Sequence, residues 1–475
     1  MSAKYRATAG HIPAVAFLTD APGLLPIFQK IRFMSFRHLL LIACILFSLN
    51  AYAQEPILNL NKPDREAWFT NLGFGMFIHW SFDVQLGMVI SHSMVGASDE
   101  YLDRYIHQLP KSFNPVKFDA DEWVRAAKLA GMKYLVFTTK HHNGFCMFDT
   151  KTTDFSILHT PYAKDPTAQL IAACHREGLA VGIYYSPDDF YFLFEHKIPI
   201  SRARPEAMAS HNAALNEYAK SQIRELMTNY GPIDVVFLDG LEQFGKTELA
   251  KLCWEINPDV VVTRGALETP EQNTPDAPLP APWEACYTLG EQWQFRPTNE
   301  FYKSAREVIL KLIEIRCKGG NFLLNFGPDE LGQFPSEQRA ILNEISLWMF
   351  INQEAFAETE PLDVIHEGPN WFLKARDGSA VYAFLTEPDW GYGERREFEL
   401  ATLTGSGESK ISVLGHAGKV LEYHPETDPG PVIRPTSQGL HLSVMRAQRI
   451  YNDRKWPNPV VVKLENVHEV NNTNK

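Results

Sequence analysis

Residues 235–240 read Val-Val-Phe-Leu-Asp-Gly, four apolar residues followed by a carboxylate and a glycine. An uninterrupted apolar run of this kind is typical of a strand buried on both faces, as in a parallel sheet. Asp239 is then expected at the carboxyl end of the strand, where Gly240 would let a ligand approach the backbone. Two roles remain open for Asp239, a catalytic carboxylate or a cap of the following helix.

Similar apolar runs recur between residues 70 and 357 and predict seven strands in all: 75–80, 134–140, 180–186, 234–239, 260–264, 286–289 and 322–326. Helices are predicted between them, over 120–130, 167–177, 206–230, 299–317 and 336–357. Repeated strand–helix units require a parallel sheet. We expect a (β/α)8-like barrel whose eighth strand lies within 85–115 or 190–205. A doubly wound open sheet is the alternative, although no glycine-rich phosphate loop follows the first strand.

Polar side chains recur where these predicted strands end: His79, Lys140-His141-His142, Tyr184-Tyr185, Asp239 and Arg264. The carboxyl ends of barrel strands converge on one face, where active sites are built. Neighbouring residues of a strand point to opposite faces, so one of the two tyrosines should face the pocket and the other should pack outside. The sequence therefore predicts an active site on the upper face of the barrel.

After residue 358 the pattern changes to short alternating segments separated by Gly, Pro and Asp turns: 370–376, 380–385, 396–400, 410–413, 419–423 and 439–444. Such spacing predicts a small antiparallel β-sandwich. The expected organisation is an upstream extension with a signal peptide over 1–53, a catalytic barrel over 54–357, and a C-terminal β-sandwich domain with a frayed tail over 358–475.

The N-terminal region resembles a targeting signal. Residues 34–38 provide a basic start, residues 39–49 are apolar, and Ala51-Tyr52-Ala53 matches a small-x-small cleavage site. A signal peptide over about 34–53 predicts export to the periplasm or the extracellular space, and a lipoprotein anchored at Cys44 is less well supported. The apolar run is too short to predict a membrane span.

Composition narrows the function. The chain of 475 residues is 45% hydrophobic and has a net charge of −12, which disfavours a nucleic-acid partner. Five cysteines lie beyond the predicted signal, widely spaced and without a CxxC pair. This spacing predicts mostly buried free thiols, no structural disulfide and no cysteine metal site.

Asp239 fits the chemistry of a glycosidase, which uses one carboxylate as nucleophile and a second, protonated carboxyl as acid. Glu284, in the Pro-Trp-Glu-Ala-Cys segment 282–286, is the preferred acid, because desolvation beside Trp283 and an apolar strand would keep it protonated. Nearby acids compete for this role, and spacing alone does not choose among them: Glu268, Glu271 and Glu291.

Several residues could bind hydroxyl groups. His79, His141 and His142 could bind a sugar or, less readily, a metal, because His141 and His142 would point to opposite faces of one strand. Arg264 offers a planar set of donors that could bind a hydroxyl or a carboxylate, or could form an ion pair that supports the barrel rim. Glu100 could bind two hydroxyls or be an ordinary loop acid.

Taken together, six segments resemble the α-L-fucosidases of glycoside hydrolase family 29: 75–80, 139–145, 182–186, 237–240, 283–286 and 320–328. The resemblance implies a retaining mechanism without metal or cofactor, with Asp239 as nucleophile and Glu284 as acid/base. It also implies sugar-binding roles, and the full expected set is His79, Glu100, His141, His142, Tyr184, Phe237, Arg264 and Trp283.

The sequence departs from the family pattern at several positions: Tyr101, Phe148 and Phe237 replace Trp, Asn143 replaces Asp, and Gln294-Phe295 replaces Gly-Tyr. We expect hydrolysis of terminal, non-reducing α-L-fucosides of glycans, with α-L-galactosides as an alternative substrate class because the pocket wall is altered. A catalytically silent sugar-binding protein and a metal-dependent hydrolase are the rival classes. The sequence does not indicate an oligomeric state.

Overall fold

The computed structural model describes residues 58–470, except 203, 241–244, 299, 422–423 and 448–457. The predicted signal peptide and Cys44 lie outside the described residues. The first part of the chain alternates helices and strands: α1 Pro63–Leu72, β1 Phe74–Ile78, α2 Asp99–Asp103, α3 Ala120–Leu129, β2 Tyr134–Lys140, α4 Pro166–Glu177, β3 Ala180–Tyr185, α5 Phe190–Glu195, α6 Ala213–Asn229, β4 Val235–Leu238, α7 Lys246–Ile256, β5 Val261–Val262, β6 Glu284–Thr288, α8 Ala305–Cys317, β7 Asn321–Phe326 and α9 Ser336–Asn352.

The seven strands β1–β7 form one parallel sheet in the order β5-β4-β3-β2-β1-β7-β6. With β1 between β2 and β7, the sheet curls as a (β/α)8-like barrel does, and the open doubly wound alternative is wrong. The extended segment after β5 spans the gap to β6, where Glu268 and Glu271 form parallel bridges with Trp283 and Cys286.

The expected position of the eighth strand was therefore wrong. Residues 190–195 form α5, and the described elements within 85–115 are helical: α2, a π-helical turn Arg104–Gln108 and short 3₁₀ turns. The segment that bridges β5 and β6 contains Pro270 and lacks apolar alternation, so it carries no strand signal in the sequence.

The strands are buried on both faces, as their apolar runs predicted. Their inward side chains form an enclosed apolar cluster that includes Phe77, Tyr134 and Phe237. Their outward side chains pack against the helices. Two helices begin later than predicted, because Asn212 and Ser304 cap them by accepting the N–H groups of Leu215 and Glu307.

The second part of the chain is antiparallel, with strands β8 Thr359–Glu367, β9 Asn370–Ala375, β10 Ala380–Leu385, β11 Arg395–Leu400, β12 Leu403–Val413, β13 Val432–Thr436, β14 Gly439–Met445 and β15 Val460–Glu469. They form a five-stranded sheet, β12-β15-β10-β9-β8, and a three-stranded sheet, β11-β14-β13. Their facing side chains enclose a separate core. Residues 419–421 of the predicted segment 419–423 form no strand.

One face of the five-stranded sheet also packs on the barrel. Tyr382 and Phe384 belong to the same apolar cluster as the barrel helices. The indole of Trp348, on α9, donates to the carbonyl of Pro459 at 2.9 Å. The five cysteines among the described residues are buried free thiols. No helix in the described part of the chain is both long and apolar enough to cross a bilayer.

Candidate active site

A cavity of about 440 Å³ opens at the carboxyl ends of the strands. The structure brings most of the predicted strand-end residues together in its wall: His79, His141, His142, Tyr184, Phe237, Asp239 and Arg264. Tyr185 points the other way and donates to Gln222 at 2.8 Å, as the alternation predicted. Lys140 is not among the lining residues, since its ammonium group pairs with the buried Asp189 at 2.9 Å.

The carboxylate of Asp239 has three polar neighbours. The Tyr184 hydroxyl donates to its Oδ2 at 2.6 Å, and Nε2 of His142 lies 3.3 Å from the same oxygen. Nε of Arg264 lies 3.4 Å from Oδ1. The side chain is 16% exposed and lines the cavity. These contacts fix the carboxylate in one orientation at the base of the cavity.

Asp239 is held in its ionised form. Burial alone would raise its pKa, but the Arg264 guanidinium, the two adjacent imidazoles and the Tyr184 hydroxyl together lower the pKa well below its usual range. Burial lowers the pKa of His142 to about 3, so this ring is neutral near pH 7. Near pH 7, Arg264 and Tyr184 therefore account for the effect, and the result is a carboxylate ready to act as a nucleophile.

Hydrogen bonds fix the protonation of two of the histidine rings. Asn325 donates through its amide nitrogen to the Trp293 carbonyl at 2.5 Å, so its Oδ1 accepts from Nδ1 of His79 at 2.6 Å. His79, whose pKa burial lowers to about 4, thus has an Nε2 that accepts. Nδ1 of His141 accepts the backbone N–H of His142 at 2.9 Å, so its Nε2 carries the proton. The two rings offer an acceptor and a donor to a ligand with hydroxyl groups.

His142 completes the contact with Asp239. Its Nε2 lies 3.3 Å from Oδ2 of Asp239, and its Nδ1 lies 3.5 Å from Oδ2 of Asp188. Its Nδ1 also lies 2.5 Å from the hydroxyl oxygen of Ser186, and that hydroxyl donates to the carbonyl of Asp188 at 3.2 Å. The neutral His142 ring thus has a carboxylate beside each of its two nitrogens.

The two adjacent histidines share the cavity, contrary to the expectation that they would diverge. They follow the last residue of β2, where strand alternation no longer applies, and their ring centroids are 4.3 Å apart. Ligand atoms of His141, His142 and Asp239 lie within 4.8 Å of one another, a spacing that could hold a metal ion. The protonation of His141 opposes this, because its Nε2 carries a hydrogen rather than a free lone pair.

Arg264 links Asp239 to a second acid. Its Nη1 donates to Glu271 Oε2 at 2.7 Å, while its Nε faces Asp239. Glu271 lines the cavity and is 39% exposed, and the bridge to β6 fixes its backbone beside Cys286 at the cavity wall. The structure thus places two carboxyl groups on one guanidinium inside the same cavity.

The structure contradicts the prediction that Glu284 is the acid. Glu284 is the first residue of β6, at the end of the barrel opposite the cavity, and its side chain is fully enclosed. The hydroxyl of Tyr134, at the start of β2, donates to its carboxyl group. Tyr134 can lie across the barrel because Gly75 leaves room, since a Cβ there would meet its ring at 2.4 Å. Glu284 cannot reach a sugar bound in the cavity.

Enclosure gives Glu284 a different effect, on stability. Burial raises its pKa from 4.5 to about 7, which corresponds to roughly 3 kcal/mol. Below pH 4.5 the Glu284 carboxyl is protonated whether the chain is folded or unfolded, so its pKa shift does not lower the free energy of unfolding there. Between pH 4.5 and 7 the unfolded chain loses the proton first, so the free energy of unfolding falls as the pH rises.

We therefore expect Glu284→Gln to remove this pH dependence. In urea denaturation between pH 5 and 8, the stability of the variant relative to wild type should rise with pH. Glu291→Gln, which alters an exposed acid, serves as the control and should follow the wild-type profile. Parallel profiles for wild type and Glu284→Gln would contradict the assignment.

Other expected site residues also lie outside the cavity. Glu100 is exposed in the first turn of α2, where its carboxylate interacts with the helix start and with Ser98. Trp283 points out of the barrel and packs on Gly320, because it alternates with the inward-facing Glu284. Glu268 is exposed beside β6, and Glu291 pairs with Arg296. Of the three competing acids, Glu271 alone is among the residues that line the cavity.

The sequence did not reveal the rest of the cavity wall: Phe77, Ser91, His92, Arg202, Cys286 and Trp293. Phe77 lies two residues before His79, so period-two alternation could have placed it inward with His79, and Cys286 alternates in the same way with Glu284 on β6. The others lie in irregular connections, where no periodic pattern indicates direction.

A family model, curated proteins and solved structures that are similar to this chain share one description. A family model described as Alpha-L-fucosidase matches residues 46–354. An alpha-L-fucosidase of Dictyostelium discoideum is 26% identical over 443 residues, covering 82% of this chain and 93% of the relative. A plasma alpha-L-fucosidase of Rattus norvegicus is 25% identical and covers 87% and 96%. Among solved structures, alpha-L-fucosidase isoenzyme 1 from Paenibacillus thiaminolyticus superposes with a TM-score of 0.66 at 27% identity, covering 84% and 98%.

Proposed function

The protein belongs to the α-L-fucosidase family, and from this premise we propose that it removes terminal α-L-fucose from glycans with Asp239 as nucleophile and Glu271 as acid/base. The observation that carries the proposal is the arrangement of two acids on Arg264 within one cavity, beside three neutral histidines. A retaining glycosidase needs two carboxyl groups that flank the anomeric carbon.

In the first step, the Asp239 carboxylate attacks the anomeric carbon from the face opposite the leaving oxygen. The bond to that oxygen breaks as Glu271 gives it a proton, and a covalent glycosyl–enzyme forms. Glu271 must be protonated at this stage, and it is in contact with Arg264. A bound sugar whose hydroxyl accepts from Arg264 would weaken that contact.

In the second step, Glu271 takes a proton from water as the water attacks the anomeric carbon. The bond to Asp239 breaks, and fucose leaves with its original configuration. The acceptor on His79 and the donor on His141 are suited to orient the sugar through its hydroxyl groups, because each ring offers one fixed hydrogen-bonding role.

The apolar part of the cavity supports fucose over its 6-hydroxylated relative. Phe77, Phe237 and Trp293 lie together, with ring centroids 5.0 Å apart for Phe77 and Phe237 and 5.9 Å apart for Phe77 and Trp293. Such a surface suits the methyl group of fucose. The hydroxymethyl group of an α-L-galactoside would place an extra hydroxyl against these rings.

The test is a panel of aryl glycosides. We expect efficient release of the aryl group from the α-L-fucoside and a kcat/KM about 10–100-fold lower for the α-L-galactoside. The β-D-galactoside should not be cleaved, and a chelator should leave the rate unchanged. Tight binding of fucose without turnover would show a silent sugar-binding protein instead, and loss of activity with the chelator would show a metal-dependent hydrolase.

We also propose that the protein is exported and acts on fucosylated glycans outside the cytoplasm. The support is the signal-like pattern of residues 34–53. Relatives described as plasma enzymes are consistent with this placement. The antiparallel domain over 358–475 is proposed as an accessory domain that packs on the barrel.

A further inference from the structure

A buried carboxylate lies beside the cavity and has no role in the proposed chemistry. Asp83, in the 3₁₀ turn Phe82–Leu86 that follows β1, is fully enclosed. Its Oδ2 accepts from the Tyr105 hydroxyl at 2.6 Å and from the Asn143 amide at 3.5 Å. Its Oδ1 accepts from the amide of Gln294 at 3.0 Å. Three polar side chains from separate segments thus converge on one carboxylate.

Gln294 connects this carboxylate to the cavity wall. It is 3% exposed, and its amide nitrogen also donates to the Met88 carbonyl at 3.1 Å. The preceding residue, Trp293, has its carbonyl bound by Asn325, the same side chain that orients His79. The 293–294 segment is therefore held from both sides, by Asn325 and by Asp83.

The residues held in this way form one side of the cavity. The Trp293 ring lies 4.8 Å from the His79 ring, centroid to centroid. Ser91 and His92, on the segment that follows Met88, line the same cavity. The Tyr105 hydroxyl that reaches Asp83 also contacts the hydroxyl of Ser93 at 2.8 Å. The Asp83 contacts thus join the 83–93 segment to the 293–297 segment.

The two segments also approach closely elsewhere. A Cβ at Gly87, which has φ +63°, would lie 2.4 Å from the ring of Pro297. This contact and the hydrogen bonds of Gln294 leave the two segments little freedom to move apart. Loss of one hydrogen-bonding partner in a buried polar network of this kind is costly, because it leaves a buried donor or acceptor unpaired.

We propose that Asp83 and Gln294 are positioning residues of the sugar pocket, which hold Trp293 and the Ser91–His92 edge in place for the substrate. Neither side chain is among the residues that line the cavity. They act on binding rather than on bond breaking, because Asp239 and Glu271 are held by other contacts. The inference rests on the proposed function, since it concerns the same cavity.

The test uses Asp83→Asn and Gln294→Ala in the full chain. Asparagine has a single acceptor oxygen, so either Tyr105 or Gln294 loses its partner without a change in size. We expect KM for an aryl α-L-fucoside and Ki for free L-fucose to rise about tenfold in each variant. The kcat should stay within about threefold of wild type.

Gln222→Ala is the matched control, because Gln222 is also a buried amide held by side-chain hydrogen bonds, and its partners Tyr185 and Thr152 lie outside the cavity lining. It should lower the melting temperature and leave KM unchanged. Unchanged KM and Ki in Gln294→Ala, or a KM increase in Gln222→Ala as large as in Gln294→Ala, would overturn the proposal. Absence of α-L-fucosidase activity in the wild type would instead reject the proposed function.

Discussion

Asp239→Ala is expected to lower kcat for an aryl α-L-fucoside at least about a thousandfold. The carboxylate is the group that the surrounding contacts hold ionised in the cavity, and it is the nucleophile of the proposed mechanism. The alanine variant keeps the cavity but leaves no nucleophile. Steady-state kinetics with an activated aryl fucoside measures the loss directly.

Partial rescue of the alanine variant by azide would show that the missing group is a nucleophile. In the cleared space azide can attack the anomeric carbon from the side that Asp239 occupies, so partial recovery should yield the β-configured glycosyl azide. Asp234→Asn is the matched control, since Asp234 stands at the opposite end of β4 and its carboxylate accepts the backbone N–H of Val181 at 2.9 Å. The Asp234→Asn variant should retain activity on the aryl fucoside. Undiminished turnover by Asp239→Ala would end the assignment.

The barrel and half of the cavity were readable from sequence because both depend on short-range patterns. A strand buried on both faces needs a continuous apolar run, and its carboxyl end is marked by the first polar residue. His79, Asp239 and Arg264 follow such runs, and the parallel topology brings them together without further information. The same reasoning placed the two tyrosines on opposite sides of β3.

The sequence did not show how far along the barrel axis a strand residue lies, and this explains the error at Glu284. Glu284 and Cys286 both point inward from β6, but Cys286 reaches the cavity and Glu284 lies below it. The start of β6 is two residues earlier than the sequence suggested. Trp283 was misplaced for a second reason: it is adjacent to the inward-facing Glu284, and adjacent residues of a strand face opposite sides.

Residues in irregular segments were misassigned or missed for another reason. Glu100 was expected to bind sugar, yet it belongs to a helical turn whose start it stabilises. Trp293 and Gln294 have no periodic neighbours, and their direction is set by Asn325 and Asp83, far away in sequence. No local sequence pattern predicts such long-range hydrogen bonds.

Glu271→Gln is expected to separate substrates by their leaving groups. A protonated acid matters most when the departing oxygen is a poor leaving group, and its removal costs about 10²–10⁴-fold in rate. A fucosyl disaccharide should therefore lose about that much in kcat/KM. An aryl fucoside with an electron-withdrawing ring should lose much less, because its phenolate leaves without a proton.

A merely structural role for Glu271 would not produce this difference. Breaking its contact with Arg264 could disturb Asp239, but that disturbance would slow both substrates alike. Glu284→Gln and Glu291→Gln supply the comparison, one enclosed below the cavity and one paired with Arg296 outside its lining. Both should keep kcat/KM within about threefold for either substrate. If the leaving-group dependence appears in Glu284→Gln instead, the buried carboxyl must reach the cavity during turnover, and the acid assigned from the structure is wrong.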